Sequence, residues 1–301
     1  MAVIILNQKP APSKAKRIIV KPIRDPKRIE YDARRTLTNL TNSVKGDIQA
    51  IVNQIQINQD IDVQTIGKQL DDLRKQYEFT FEGQAGRISE EWVAAVNDIN
   101  RRRTMDELRS QLGIDVAAII SEDFREELDI MMYEAASYIK TIPSEMIFRV
   151  ADRVLQHYKG IPMPENRTLQ KQIKEEFKIS DNRAKVIARD QTAKMNTSIT
   201  AARQQAIGID MYVWETARDE RVVGKPGGLY KKPSKLHRNH YIMQGKVCRW
   251  DDPTVYSDDR GKTWKKRTQE MPQNHPGQDI MCRCRTAPFV DIQQLRVRWT
   301  V

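Results

Sequence analysis

The chain has 301 residues, of which 39% are hydrophobic and 30% are charged. This balance argues against a membrane protein and against wholesale disorder, because it supports a core without any apolar run long enough to cross a bilayer. The net charge is +11. Residues 1–30 carry eight basic and two acidic side chains, residues 31–180 carry 20 and 25, and residues 181–301 carry 23 and 13. Basic ends fit a phosphate backbone or an acidic protein surface.

Residues 1–30 are predicted to form a basic extended arm. Four prolines among the lysines and arginines remove backbone donors and disfavour a helix. The apolar segment Ile18–Ile23 can instead form an extended strand that adds to a partner. We expect the arm to become ordered only on a partner protein or on nucleic acid, unless it is a frayed end without a role.

Residues 31–164 are predicted to form a helical interaction domain. Apolar side chains recur there at spacings of three and four, which lines one face of each helix. The polar stretch Arg101–Thr104 is expected to interrupt one helix, and Ser144 is expected to cap a new helix directly after Pro143. Nothing in this region resembles a catalytic constellation.

Residues 165–301 are predicted to form a separate C-terminal domain. It begins with two helices, the second of which is capped by Ser180 or Asp181 and ends near Gly208. Met211–Thr216 follows as a β-prone segment rich in aromatic and branched side chains. The whole chain is therefore expected to be α+β: mostly helical over its N-terminal two-thirds, with a C-terminal module of helices and a small, loop-rich β-sheet.

The last third of the chain concentrates side chains that bind zinc. Thiolate and neutral imidazole are the preferred zinc ligands, and residues at i and i+2 of an extended segment face the same side, so the two thiols of a Cys-x-Cys pair can bind one ion. The predicted ligands of one structural zinc are His240, His275, Cys282 and Cys284, with Cys248 and His237 in reserve. The alternative is that the cysteines pack as small apolar side chains and the histidines hydrogen-bond the loops.

The cysteine count also bears on the compartment. Three cysteines, all in the last fifth of the chain, do not form a disulfide framework and favour a reducing environment. Met1–Leu6 has neither the basic start nor the extended apolar stretch of a secretory signal. We therefore expect the protein to be made and assembled in the cytoplasm.

Five segments of the C-terminal region occur in a characteristic order. They are Ala188–Thr192, Val213–Thr216, Asp219–Arg221, Asn239–Val247 and Cys282–Arg285. This set, which covers roughly residues 165–290, resembles the Mu F-like minor head protein family of tailed bacteriophages, also called the phage head morphogenesis domain. His240 falls on the family's histidine in its His-x-x-Met-x-Gly stretch, and Cys282 and Cys284 fall on its Cys-Arg-Cys.

The chain departs from the family pattern in two places. It has Arg189-Asp190-Gln191-Thr192 where the family commonly has Arg-Thr-Glu, so the resemblance assigns no role to Asp190 or Gln191. It also carries a long insert, rich in glycine and lysine, from Val222 to Leu236.

The resemblance implies a low-copy minor capsid protein without enzymatic activity. Such a protein binds the portal vertex and acts in head assembly, DNA packaging or genome ejection. The implied partners are the portal protein, the major capsid or scaffolding protein, and packaged double-stranded DNA contacted through the basic arm and the C-terminal domain; no membrane is expected. The implied location is the interior of the virion head near the portal, after assembly in the host cytoplasm.

Two other functions remain open at this stage. A metal-dependent nuclease would hold a catalytic ion with His240, Asn274 and His275, although no clustered Asp/Glu pair accompanies them. A sequence-independent DNA-binding protein of the head interior would instead show an affinity that falls steeply with salt.

Overall fold

A computed structural model describes residues 17–57, 62–113, 125–161, 168–234, 237–291 and 295. Its helices are α1 (Lys27–Ile57), α2 (Val63–Leu112), α3 (Arg125–Tyr158) and α4 (Leu169–Ala206). Its strands are β1 (Arg17–Ile19), β2 (Met211–Glu215), β3 (Val247–Arg249), β4 (Val255–Tyr256), β5 (Lys265–Lys266) and β6 (Arg285–Asp291). This confirms the predicted α+β class. Residues 1–16 of the predicted arm and the predicted domain boundary at 164 and 165 lie outside the described residues.

The chain divides into two compact units. The first, called here the sheet unit, comprises Met1–Lys27, Ala94–Leu128 and Asp190–Val301. The second, called the helical unit, comprises Arg28–Val93 and Asp129–Arg189. None of the described helices is both long enough and apolar enough to span a membrane.

Helix α2 continues through Arg101–Thr104, where the sequence predicts a break. Arg101 and Arg102 pair with Asp98 one turn earlier, at 3.3 and 2.7 Å, and Thr104 is buried. Arginine is a good helix former, and its ion pairs at i,i+3 and i,i+4 support the helix. The polar stretch is therefore a face of one 50-residue helix, and the prediction of two helices is wrong.

Helix α3 likewise runs through Pro143 without ending. A proline inside a helix removes one backbone hydrogen bond and costs about 3 kcal/mol. Pro143 is buried together with its neighbours Ile142 and Met146, and this apolar burial offsets the cost. The predicted cap Ser144 lies within the helix, where its hydroxyl is 3.4 Å from a Glu78 carboxylate oxygen.

Helix α4 is also one element where two were predicted. The hydroxyl of Ser180 donates to the carbonyl of Glu176 one turn earlier, at 3.1 Å. The carboxylate of Asp181 accepts from the Lys45 ammonium at 2.5 Å. These side chains therefore make helix and tertiary contacts and do not cap a helix. Gly208 does follow the end of α4, as expected, with a φ of 82° that glycine adopts without strain.

Four strands of the sheet unit form an antiparallel sheet in the order β1-β6-β2-β3. The predicted strand over Met211–Thr216 is confirmed as β2. Because strand side chains alternate, β2 contributes to two cores. Val213 packs with Val247 and Phe289 on one face. The other face carries Tyr212, Trp214, Met243, Cys248, Trp250, Met271, Cys282 and Cys284.

The described part of the arm is ordered on the chain's own sheet. β1 pairs with β6, with Ile18 opposite Val290, and Val20 and Ile23 are buried. Without this pairing, β6 would present an exposed edge, which proteins generally cover. The expectation that Ile18–Ile23 waits for a partner molecule is therefore wrong for these residues.

Candidate metal centre

Three predicted ligands meet in the sheet unit. His240 directly precedes a single 3-10 turn at Tyr241–Met243. Cys282 and Cys284 lie just before β6, which begins at Arg285. All three side chains are buried, and their ligand atoms lie within 4.8 Å of one another.

The spacing of these atoms suits a tetrahedral ion. The Nδ1 atom of His240 lies 3.4 Å from the Cys284 sulfur and 3.6 Å from the Cys282 sulfur. Zinc bonds of 2.0–2.1 Å to nitrogen and 2.3 Å to sulfur give a nitrogen–sulfur edge of about 3.6 Å in a tetrahedron. The two nitrogen–sulfur distances are therefore those that a bound metal ion requires, and His240, Cys282 and Cys284 could hold one.

The second ring nitrogen of His240 is oriented by a carboxylate. Nε2 lies 3.3 Å from Asp279, and the side-chain amide of Asn274 donates to the other oxygen of Asp279 at 2.7 Å. Metal-binding histidines commonly donate their free N–H to such a carboxylate, which fixes the ring and raises its basicity. The ring is thus held with Nδ1 directed at the two sulfurs.

The Cys282 sulfur accepts hydrogen bonds from the backbone. The amide of Gly277 donates at 3.3 Å and the amide of Cys284 at 3.5 Å. Gly277 has a φ of 85°, and a Cβ there would lie 2.6 Å from the Thr197 hydroxyl. Only glycine therefore brings its amide to the sulfur, and amide donors of this kind stabilise a thiolate.

The metal-free cluster shares its protons unequally. A hydrogen bond from Cys284 and contact with His240 hold the pKa of Cys282 well below its usual range. The Cys282 partner and burial raise the pKa of Cys284. Burial alone would lower the pKa of His240, but Asp279 and Cys282 outweigh it and raise the pKa to about 9. A metal ion would displace the protons that this cluster shares, because zinc binds thiolate and neutral imidazole.

A buried indole borders the cluster. The ring of Trp214 packs edge-on against His240, with centroids 5.9 Å apart. Its Nε1 atom is buried, and its closeness to Cys284 partly offsets the net rise in the pKa of that thiol. An N–H held beside a sulfur in this way fits a negatively charged, metal-binding thiolate.

Two contacts fix the segment that carries the cysteines. Arg283, between them in sequence, forms a two-pronged ion pair with Asp219. The backbone amide of Met281 donates to Asp190 at 2.8 Å, with Met281 in the left-handed region at a φ of 57°. A non-glycine residue in that region is strained and is retained when its surroundings require it.

The structure places the other predicted ligands elsewhere. His275 does not reach the cluster, because its Nδ1 atom is 2.9 Å from the Tyr212 hydroxyl and its ring packs against Trp250. Cys248 is buried in β3 opposite Tyr212 and is not in the metal-ligand group of the described chain. His237 is exposed and lines a cavity beside the cluster.

The ligand set of the nuclease alternative is likewise not assembled. His240 faces the two sulfurs, whereas His275 faces Tyr212. The side-chain amide of Asn274 is engaged by Asp279. His240 and Asn274 thus share Asp279, whereas His275 is engaged by Tyr212.

Sequence reasoning missed three residues that build the site: Asp279, Gly277 and Arg267. Arg267 is buried and donates to the carbonyls of Pro272 and Asn274 at 2.8 and 2.9 Å, which holds the loop leading to Gly277. The Pro-Gly dipeptide at 276 and 277 signals a turn. The sequence carries no comparable signal for Asp279 or Arg267.

Comparison with known proteins identifies a relative without an assigned function. The chain is 27% identical over 299 residues to an uncharacterized protein of Haemophilus influenzae strain Rd. The match covers 96% of this chain and 58% of the Haemophilus protein, so the chain spans less than two-thirds of that protein. No family model and no solved structure matches the chain.

The environment of His275 predicts a pH dependence. Burial, together with the nearby Arg267 cation, lowers the pKa of His275 from 6.5 to about 4. Between pH 6.5 and 4 the imidazole of His275 is therefore protonated in the unfolded chain but stays neutral in the folded chain. As a result, the free energy of unfolding falls as the pH falls. We expect metal-free His275→Gln protein to show a shallower decline over this range in urea unfolding.

The comparison is made on slopes, since the substitution also changes stability at neutral pH. Above pH 6.5 the wild-type and His275→Gln curves should run parallel. Parallel curves from pH 6.5 down to 4 would contradict the account of a buried, neutral imidazole at His275.

Proposed function

We propose that this chain is a minor capsid or head morphogenesis protein of a tailed bacteriophage, acting at the portal vertex in head assembly, DNA packaging or genome ejection. One observation carries the proposal. Residues through which the sequence resembles the Mu F-like family lie in one connected site: Trp214, Asp219, His240, Cys282 and Cys284. Up to 70 residues separate them in sequence, so their convergence supports reading the short motifs as one inherited unit.

The proposed role of the metal is structural. Within its described part, the segment between β2 and β6 contains only one 3-10 turn and three strands of two or three residues. A segment with so little regular structure needs a cross-link, such as a bound metal ion, in addition to its apolar core. A zinc ion held by His240, Cys282 and Cys284 would tie the start of this segment's 3-10 turn to the start of β6, and its binding free energy would add to folding.

The distribution of charge supports a division of partners between the units. The sheet unit carries 32 basic and 21 acidic residues, a net +11, whereas the helical unit carries 19 of each. Packaged DNA is attracted through lysine and arginine. We therefore assign DNA contact to the sheet unit with its arm, and contact with the portal and with the capsid or scaffolding protein to the helical unit.

The location follows from these partners. A protein bound to the portal and to packaged DNA lies inside the virion head. It is assembled beforehand in the host cytoplasm, where thiols stay reduced and available to zinc.

Removing the two thiols tests whether a bound zinc stabilises the fold. We expect Cys282→Ser combined with Cys284→Ser to lower the Tm by about 10 °C, because losing a structural metal costs several kcal/mol. A chelator should lower the Tm of the wild-type protein by a similar amount and leave the double variant unchanged. Cys248→Ala, which removes a thiol outside the cluster, should keep its response to the chelator. A wild-type Tm that ignores the chelator would contradict a structural zinc.

Complex formation with the portal tests the function. The full chain should co-elute as a stoichiometric complex with the portal protein encoded in the same genome. It should leave plasmid DNA intact with Mg²⁺ or Mn²⁺, even at high protein excess. Binding to DNA should weaken steeply with salt.

Other outcomes would assign a different function. Plasmid cleavage that His240→Ala abolishes would make the protein a nuclease. Salt-sensitive DNA binding without any portal complex would make it a DNA-binding protein of the head. Either result would overturn the portal proposal, whatever the Tm experiment shows about zinc.

A further inference from the structure

The candidate metal centre has three ligands within the described part of the chain. Among the described residues, the metal-ligand group has three members, His240, Cys282 and Cys284. A tetrahedral ion takes four ligands, and closed structural sites draw all four from the protein. Asp279 is turned toward the far side of the His240 ring. The fourth coordination position of a tetrahedral ion is therefore not filled by this group of described residues.

A small cavity adjoins that position. It has a volume of about 50 Å³ and is bordered by His240, Asp279 and both cysteines of the cluster. A water molecule needs about 10–15 Å³ of such space, so the cavity accommodates about three to five non-hydrogen atoms. Ile280, on its wall, is 63% exposed, which places the cavity at the protein surface.

The lining of the cavity favours a carboxylate. Two arginines, Arg221 and Arg283, line it together with Asp279; Asp219 already pairs with the Arg283 guanidinium, so Arg221 is the cation offered to a ligand. Guanidinium groups pair with carboxylates through two parallel hydrogen bonds. The apolar wall, formed by Ala217, Val222, Val223 and Ile280, suits the short alkyl part of such a ligand.

We infer that the fourth position of this centre is open and binds a carboxylate group, supplied by a small free carboxylate or by an acidic side chain of a docked protein. The inference rests on the metal centre of the proposed function. A carboxylate bound to the zinc would complete its coordination. Binding of a partner through that carboxylate would therefore add to the stability of the sheet unit.

His237 is the competing ligand. Its exposed side chain lines the same cavity three residues before His240. It is not in the ligand group of the described residues, whereas the other three ligands are buried and positioned. We therefore assign the fourth position to an external carboxylate and treat His237 as an outcome of the test.

Cobalt substitution tests the inference. Co²⁺ bound to thiolates gives visible bands that respond to a change of ligand. The full-length protein loaded with one Co²⁺ should show a saturable spectral shift on titration with acetate, at constant ionic strength in perchlorate. Arg221→Gln should weaken the acetate affinity about tenfold, because a charge-assisted hydrogen bond is lost. Arg238→Gln is the matched control, since Arg238 donates to the Gln269 carbonyl and does not line the cavity.

The source of the carboxylate is tested in the same titration. A short peptide amide with one glutamate is compared with its glutamine counterpart. A shift with acetate alone supports a small free ligand, and a shift with both acetate and the glutamate peptide supports a docked side chain. The glutamine peptide should give none.

Three results would overturn the inference. The first is a cobalt spectrum that acetate leaves unchanged in the wild type. The second is a shift that appears only in His237→Ala, which would make His237 the fourth ligand. The third is equal weakening by Arg221→Gln and Arg238→Gln. Protein that binds no Co²⁺ would fail at an earlier step and would contradict the metal centre itself.

Discussion

One imidazole, that of His240, lies between two sulfurs and a carboxylate at the centre of the candidate site in the sheet unit. His240 connects the loops after β2 to the start of β6 through Cys282 and Cys284, and Asp279 fixes its orientation. Little regular structure lies between those strands within the described residues. The polar contacts around the cluster, including the Gly277 amide on the Cys282 sulfur, make sense as supports for negatively charged sulfur. A cation at the centre would turn this set of strained and desolvated groups into a source of stability.

Some features could be predicted from the sequence, including strand β2 and the shared face of the two thiols in the Cys-x-Cys pair. Aromatic and branched side chains in Met211–Thr216 predicted β2, and the one-residue spacing of Cys282 and Cys284 predicted that both sulfurs face one ion. The choice between His240 and His275 could not be made in this way. Both are histidines in loops, and only the tertiary position of Tyr212 shows that the His275 ring is engaged by a hydrogen bond in the core.

The helix breaks were mispredicted for a related reason. Local signals such as Pro143 end a helix when solvent surrounds it, but burial in an apolar stripe outweighs the lost hydrogen bond. Tertiary context decided the structure of the arm as well, because its strand β1 pairs with the edge of β6 in the same chain. Asp279 had no sequence signal, since its role depends on which nitrogen of His240 faces the sulfurs. The sequence therefore predicted which residue types bind a metal, and the fold selected among them.

The central claim is that His240, Cys282 and Cys284 bind one zinc ion. X-ray absorption at the zinc edge, with elemental analysis of the same full-length sample, tests it most directly. We predict one zinc per chain with two sulfur neighbours at about 2.3 Å and nitrogen or oxygen neighbours at about 2.0 Å, and a large loss of zinc in His240→Ala. Protein without zinc after growth in zinc-containing medium, or zinc surrounded only by nitrogen and oxygen, would contradict the account.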